Sequence, residues 1–290
     1  MFSFDLLVNA VVAGILLGGF YAAVSLGISV TFGLLDVANI AHPVFIIAGA
    51  YAVYTVNTAF ALDPILAGLL FTPLFYGLGV VIYRIYYVSF ERAGEQSLRG
   101  LVFFFGLLFI AEVSLILAYG VDYRMIEAPY IGQSLSIGPI GISLRLGVPC
   151  VVGLLLTLTL HLFLAKTFYG KAIMAVSQDS LALRLMGANP IQIKTIAFGL
   201  GMATASLAGA LLIVIVPIEP SMGREYIGRV FAITVLGGMG SIGGTLAAAL
   251  ILGVAESLTS TFSGPSWALA VSFGILLVAL AVRPAGLFGR

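Results

Sequence analysis

The chain reads as an all-α protein that crosses a membrane about eight times. Three observations carry that reading. Hydrophobic residues make up 61% of the 290 positions and charged residues only 9%, where a soluble domain carries roughly a quarter. The charges bound a series of uncharged runs, each near or above the ~20 residues that a membrane helix needs. The basic residues gather in a few of the segments between those runs. So few charges can neither cover a soluble surface nor build a basic patch, which excludes a soluble enzyme, a disordered tail and a nucleic-acid binder of the basic-patch kind. A net charge of +1 points to neither an acidic nor a basic partner. The single cysteine, Cys150, excludes an intramolecular disulfide. No cleavable signal peptide is expected, since the first four residues lack a positive region.

The apolar runs follow in order. Residues 6–35, 37–62, 64–83, 146–165, 195–218, 230–255 and 257–282 hold no charge, and residues 100–121 hold only Glu112. Two of the eight are not expected to be simple rods. As one helix, residues 6–35 would reach ~45 Å against a hydrocarbon core of ~30 Å, so Gly18 and Gly19 are expected to break or tilt it. Residues 237–244 contain Gly237, Gly238, Gly240, Gly243 and Gly244, a poor helix interior. Two half-helices are predicted there, making a re-entrant unit that returns to the outer side. Irregular backbone at membrane depth survives when it is buried in protein or lines a wet cavity, which makes Gly238 and Gly240 candidate path residues. Gly14 and Gly18 form a small-residue pair that usually marks helix contact.

Three polar stretches separate the runs. Residues 84–99 carry Arg84, Arg92 and Arg99 with Glu91 and Glu95; residues 122–145 are rich in Gly, Pro and Ser and suggest short strands or an irregular cap; residues 166–194 carry Lys166, Lys171, Arg184 and Lys194 against Asp179. Basic residues mark the cytoplasmic side. Placing 84–99, 166–194 and the C-terminus there puts nine basic residues inside and four outside. The N-terminus then lies outside.

Residues 166–194 are the longest inner segment, yet they are not loop-like. Residues 170–187 predict a short amphipathic helix, with Ile173, Val176, Leu181, Leu185 and Met186 near helical spacing. Gly187 suits its C-terminus. Asn189 suits the cap of a second short helix, with Pro190 at its first position. Such a pair offers a docking knob for a cytoplasmic partner. The alternative is a helix that simply lies on lipid.

Four stretches resemble the permeases of the branched-chain amino acid ABC importers. Gly170, Ala172, Ala175, Asp179, Ala182 and Gly187 stand at the places of the coupling-loop pattern of ABC importer permeases. Asn39-Ile40-Ala41-His42 with Gly49-Ala50-Tyr51, the block Val235 to Ser241 with Gly243 and Gly244, and the ending Arg283 to Gly289 follow in that family's order. The pattern of the first permease subunit fits better than the second. Met174, Ala188 and Pro43 replace the family's usual Arg, Ile and Gly. The resemblance implies a single permease domain over residues 1–290, in a bacterial inner membrane with its C-terminus in the cytoplasm. It also implies a homologous second permease, two ATP-binding subunits docked on residues 166–194, and a periplasmic solute-binding protein. ATP would sit on the partner subunits; the chain has no phosphate-binding G-x-x-x-x-G-K-[S/T] motif of its own. Urea and short-amide importers share the pattern and stay open as substrates. An ATPase-independent secondary transporter and a non-transporting scaffold are the remaining alternatives.

Single residues add to this. Glu112, inside the fourth run, either meets substrate in the path or makes a helix–helix hydrogen bond. Asn39 and His42 either line the path or, for Asn39, cap a helix. Glu256 is expected at the membrane interface. His42 and His161 lie too far apart in sequence to suggest a metal site. The G-x-G-x-x-G at 238–243 sits within an apolar run with no strand before it, which speaks against a dinucleotide site.

Overall fold

The computed structural model describes residues 4–92, 98–137, 140–283 and 285–289. Glu95 of the first polar stretch, Pro284 of the C-terminal motif and Arg290, one of the two basic residues counted at the C-terminus, lie outside those residues. Among the described residues the elements run α1 (Phe4–Thr31), α2 (His42–Phe60), α3 (Pro64–Tyr86), α4 (Leu98–Tyr119), β1 (Ser134–Ile137), β2 (Ile140–Ser143), α5 (Leu144–Lys166), α6 (Phe168–Gln178), α7 (Ser180–Leu185), α8 (Pro190–Ile215), α9 (Gly223–Gly237), α10 (Ile242–Phe262) and α11 (Pro265–Val282). Eight of these helices are long and apolar enough to cross a membrane: α1 to α5, α8, α10 and α11. The protein is an all-α polytopic membrane protein, as the runs predict.

The interior is built on α1 and α8. Helix α1 packs on α10, α5 and α8, while α8 packs on α3, α2 and α1. Close approach rests on small residues, as expected where lipid supplies no hydrophobic drive between helices. A Cβ on Gly14 would lie 2.5 Å from the Cα of Val254, and one on Gly18 would lie 2.7 Å from the Cα of Leu250. The expected break at Gly18 and Gly19 is therefore absent. Helix α1 runs unbroken through both glycines, which let α10 and α5 touch its backbone, with Gly19 against Cys150. The run 6–35 is shortened instead by a turn after Thr31.

Helices α4 and α11 lie at the periphery. Leu117 and Val282 are 83% and 81% exposed, an apolar surface that suits lipid or a companion subunit. Helix α3 runs through Arg84 into a π-helical turn at Tyr87–Glu91, so the polar stretch 84–99 begins as helix. Glu91 accepts hydrogen bonds from Tyr83 (2.7 Å) and from Lys194 of α8 (2.5 Å), tying that turn to the start of α8.

The expected short strands are β1 and β2, an antiparallel hairpin in the register Ser134↔Ser143 to Ile137↔Ile140. The Gly141 amide donates to the Asn9 side chain at 2.9 Å, which places the start of α1 beside the hairpin. The hairpin thus marks one end of the bundle, and α6 and α7 mark the other.

The glycine-rich run is broken, with a different division from the one expected. Helix α9 has 15 residues, ~22 Å, too short to span. It starts at Gly223, well before the uncharged run, and takes in Arg224, Glu225 and Arg229. Counting uncharged residues hid this half-helix, because two of its charges pair with buried carboxylates. The chain turns at residues 238–241, with Gly238 at φ +92° and Gly240 at φ +79°. Helix α10 then spans by itself and runs on past Glu256.

Candidate translocation and coupling sites

At one end the polypeptide forms a knob of two short helices, where a single helix is expected from the spacing. Asp179 divides them: it is extended (φ −152°), and its carboxylate accepts from the amides of Leu181 and Ala182 at 2.8 and 2.9 Å. An aspartate satisfies the free amides of a helix start better than it fills a helix interior. Thr167 caps α6 in the same way through the Gly170 amide at 3.0 Å. Gly170 and Ala172 are buried. A Cβ on Gly170 would lie 2.5 Å from the Cα of Leu164, so α6 sits hard against the last turn of α5. Ala175 is half-buried on the same helix, and Ala182 is exposed on α7. Gly187 ends the knob at φ +84°, a conformation that costs a residue with a side chain ~1 kcal/mol or more. Asn189 does act as a cap, accepting from Ile191 at 3.0 Å, but the helix it starts is the long α8.

The two helices present different faces. Ile173 and Val176 of α6 are buried, with Leu183 of α7. Leu181, Leu185 and Met186 point outward at 66%, 81% and 84% exposure. They form an exposed apolar patch, of the kind that marks a protein or membrane contact.

Beside the knob lies the glycine turn. A cleft of about 640 Å³ is lined by Met174 and Gln178 of α6, His161 of α5, Gly33 after α1, and Gly240 and Ser241 of the turn. The C-terminal segment closes over the same turn: Leu287 and Phe288 donate backbone N–H groups to the carbonyls of Leu236 and Gly237 at 2.8 and 3.2 Å. Gly238 is buried against Phe288 and Gly289.

Asn39 and His42 are both 0% exposed. Asn39 does not cap α2. The cap position is Ala41, with Pro43 in the first turn of the helix, and the Asn39 amide points at the Met202 sulfur, 3.6 Å away. His42 lies against Gly27 of α1 and near Gly201 of α8. Neither His42 ring nitrogen has a hydrogen-bond partner, nor does Asn39 Oδ1.

Glu112 is paired: Arg224, in the first turn of α9, donates to its Oε1 at 2.6 Å. Glu256 is inside the bundle, not interfacial as expected, and is 4% exposed. Its Oε1 accepts from Arg229 (3.1 Å) and Ser272 (2.6 Å), and its Oε2 from Tyr21 (2.5 Å). Arg229 also lies over the rings of Tyr21 and Tyr226 at 5.3 and 5.1 Å. This network joins α9 to α1, α10 and α11, and sequence reasoning missed it. The one available signal was an acidic residue between two apolar runs with an arginine at the start of the first. Among the described residues no cluster of His, Cys, Asp and Glu has the makings of a metal site.

A bundle of spanning helices, a half-helix that ends in a glycine turn and a knob of two short helices beside that turn make up a polytopic membrane protein. The chain belongs to the family described as branched-chain amino acid transport system / permease component, whose model matches residues 10–280. It is 29% identical to the high-affinity branched-chain amino acid transport system permease protein LivH of Escherichia coli, over 96% of this chain and 94% of that one. It is 28% identical to the high-affinity permease protein BraD of Pseudomonas aeruginosa over the same shares. Similarity to the permease protein LivM of Escherichia coli, 32% identical, covers only 46% of this chain and 32% of that one. No solved structure matches the chain.

Proposed function

We propose that the chain is the first transmembrane subunit of an ATP-driven ABC importer for branched-chain amino acids. In this reading residues 1–290 act as one permease domain beside a homologous second permease, in a bacterial inner membrane. The full-length likeness to LivH and the partial one to LivM support the pairing. The α6–α7 end faces the cytoplasm with the C-terminus, and the hairpin end faces a periplasmic solute-binding protein. The excess of basic residues at the α6–α7 end supports that orientation.

The observation that carries the reading is the exposed apolar trio of α7 on a knob seated hard against α5. Two ATP-binding subunits take up this surface and its counterpart on the second permease, and those subunits hold the ATP. Gly170 and Ala172 seat the knob, Ala175 and Asp179 shape it, and Ala182 and Gly187 lie on its outer side. Rigid-body movement of the ATPases then reaches the glycine turn across the cleft between α6 and residues 239–241. The path runs past Glu112 and the turn at Gly238 and Gly240, with Asn39 and His42 behind it, holding α2 against α1 and α8.

The test is recovery of the tagged chain from native membranes, with its companions identified by mass spectrometry. An ATPase and a second permease are expected. Recovery of the chain alone, under conditions that keep other ABC complexes intact, overturns the proposal. Substrate is then assigned by uptake of labelled leucine against labelled urea into vesicles holding the complex.

A further inference from the structure

A helix start, an open cation and a half-paired carboxylate meet at one place in the bundle. Helix α9 begins at Gly223, where a Cβ would lie 3.0 Å from the Cα of Val44 in the first turn of α2. It follows directly on a 3-10 turn at Pro220–Met222, whose Ser221 carbonyl accepts from the Gly223 amide, and no side chain caps it. Arg224 stands in this turn and bonds Glu112 Oε1 at 2.6 Å while 54% of its own side chain stays exposed. The Glu112 side chain is only 5% exposed, yet its second oxygen, Oε2, has no hydrogen-bond partner. Phe109, on the turn of α4 before Glu112, flanks the guanidinium at 5.9 Å.

Glu256 shows what a carboxylate used only for structure looks like in this protein. Both of its oxygens are bonded, and the Arg229 side chain is 17% exposed. The Arg224–Glu112 pair differs on both counts. A buried carboxylate oxygen without a donor is costly to keep. An exposed guanidinium beside it keeps free N–H groups in a planar fork that matches a carboxylate. The helix start behind it adds partial positive charge, as the half-helices of other transporters do toward anionic groups.

We propose that Arg224 and Glu112 hold the two charged ends of an α-amino acid in transit. Arg224 takes the substrate carboxylate, and Glu112 Oε2 takes its ammonium group. With no substrate bound, the two side chains close on each other. The inference rests on the reading that the chain passes an amino acid.

The test uses the complete importer, with its binding protein, in proteoliposomes, comparing preparations of equal recovered complex. Arg224→Gln and Glu112→Gln are each expected to lower leucine uptake about tenfold or more, the scale of one lost charge-assisted contact. The exchanged variant, Arg224→Glu with Glu112→Arg, restores the bridge with its signs reversed. Each end of the substrate then meets its own charge, so uptake is expected to stay about tenfold down. Return of uptake to within about twofold of wild type in the exchanged variant overturns the proposal and leaves a structural bridge. Wild-type uptake in either single variant overturns it as well. If the exchanged complex does not assemble, Arg224→Lys decides, since it keeps the cation and loses the fork. A fall of about fivefold is expected, and wild-type uptake overturns the proposal. A wild-type complex that carries no amino acid at all fails the importer reading instead, and is seen before any variant is compared.

Discussion

The backbone N–H of Leu287 donates to the carbonyl of Leu236 at 2.8 Å, joining the C-terminal segment to the last turn of the half-helix α9. The last carbonyls of a helix have no partner within it, and at membrane depth an unpaired one costs several kcal/mol. Phe288 serves Gly237 in the same way. Two motifs far apart in the chain, the glycine block and the Arg283–Gly289 ending, are thus two halves of one cap.

Gly286→Val tests that cap. Gly286 has φ +81°, and a Cβ there would lie 2.5 Å from the Val235 carbonyl oxygen. The segment is expected to lift off at a cost of about 1–3 kcal/mol. Hydrogen exchange at the Leu287 and Phe288 amides should then speed up about tenfold or more.

Arg229→Ala leaves the Glu256 carboxylate buried with Tyr21 and Ser272 alone. Breaking one side of a buried pair costs about 3–5 kcal/mol. A lower melting temperature of the detergent-solubilised protein is expected, with the loss smaller for Glu256→Gln, which keeps a hydrogen-bonding group at the site. Equal melting of Arg229→Ala and wild type would show that α9 is held by packing alone.

Gly18→Leu places a large side chain where the Leu250 backbone now lies. Helices α1 and α10 must separate, and overpacking against backbone offers no rotamer by which to escape. The expected outcome is loss of folded protein from the membrane fraction, read by fluorescence-detected size exclusion. The same change at Gly77, which has open space around it, should be tolerated.

Gly187→Asp and Ala175→Glu alter the knob. Each is expected to abolish uptake while the chain still reaches the membrane in normal amount. Normal uptake in both variants would remove α6 and α7 from the coupling role.

Hydropathy made the spanning helices legible because a membrane helix must bury its own backbone and keep charge out for ~20 residues. That constraint is local, so the apolar runs foretold the spans α1 to α5, α8 and α11, and the glycine cluster foretold the break at 238–241, while α10, expected as a half-helix, spans by itself. Caps are local too: Asn189 and Gly187 each signal a helix end, although Asp179, read inside one helix, divides two. What a run of letters cannot carry is which charges meet. Arg224 and Arg229 read as loop residues until Glu112 and Glu256, 112 and 27 positions away, neutralise them. For that reason the first half of α9 was hidden, and Glu256 looked interfacial. Gly18 was likewise ambiguous, since a glycine that breaks a helix and one that admits a neighbour look the same until the backbone of α10 arrives against it. Local hydrophobicity and capping chemistry therefore settled the membrane class and the helix ends. Tertiary packing decided which polar groups are structural, which one is left half-paired, and where the two ends of the bundle are joined.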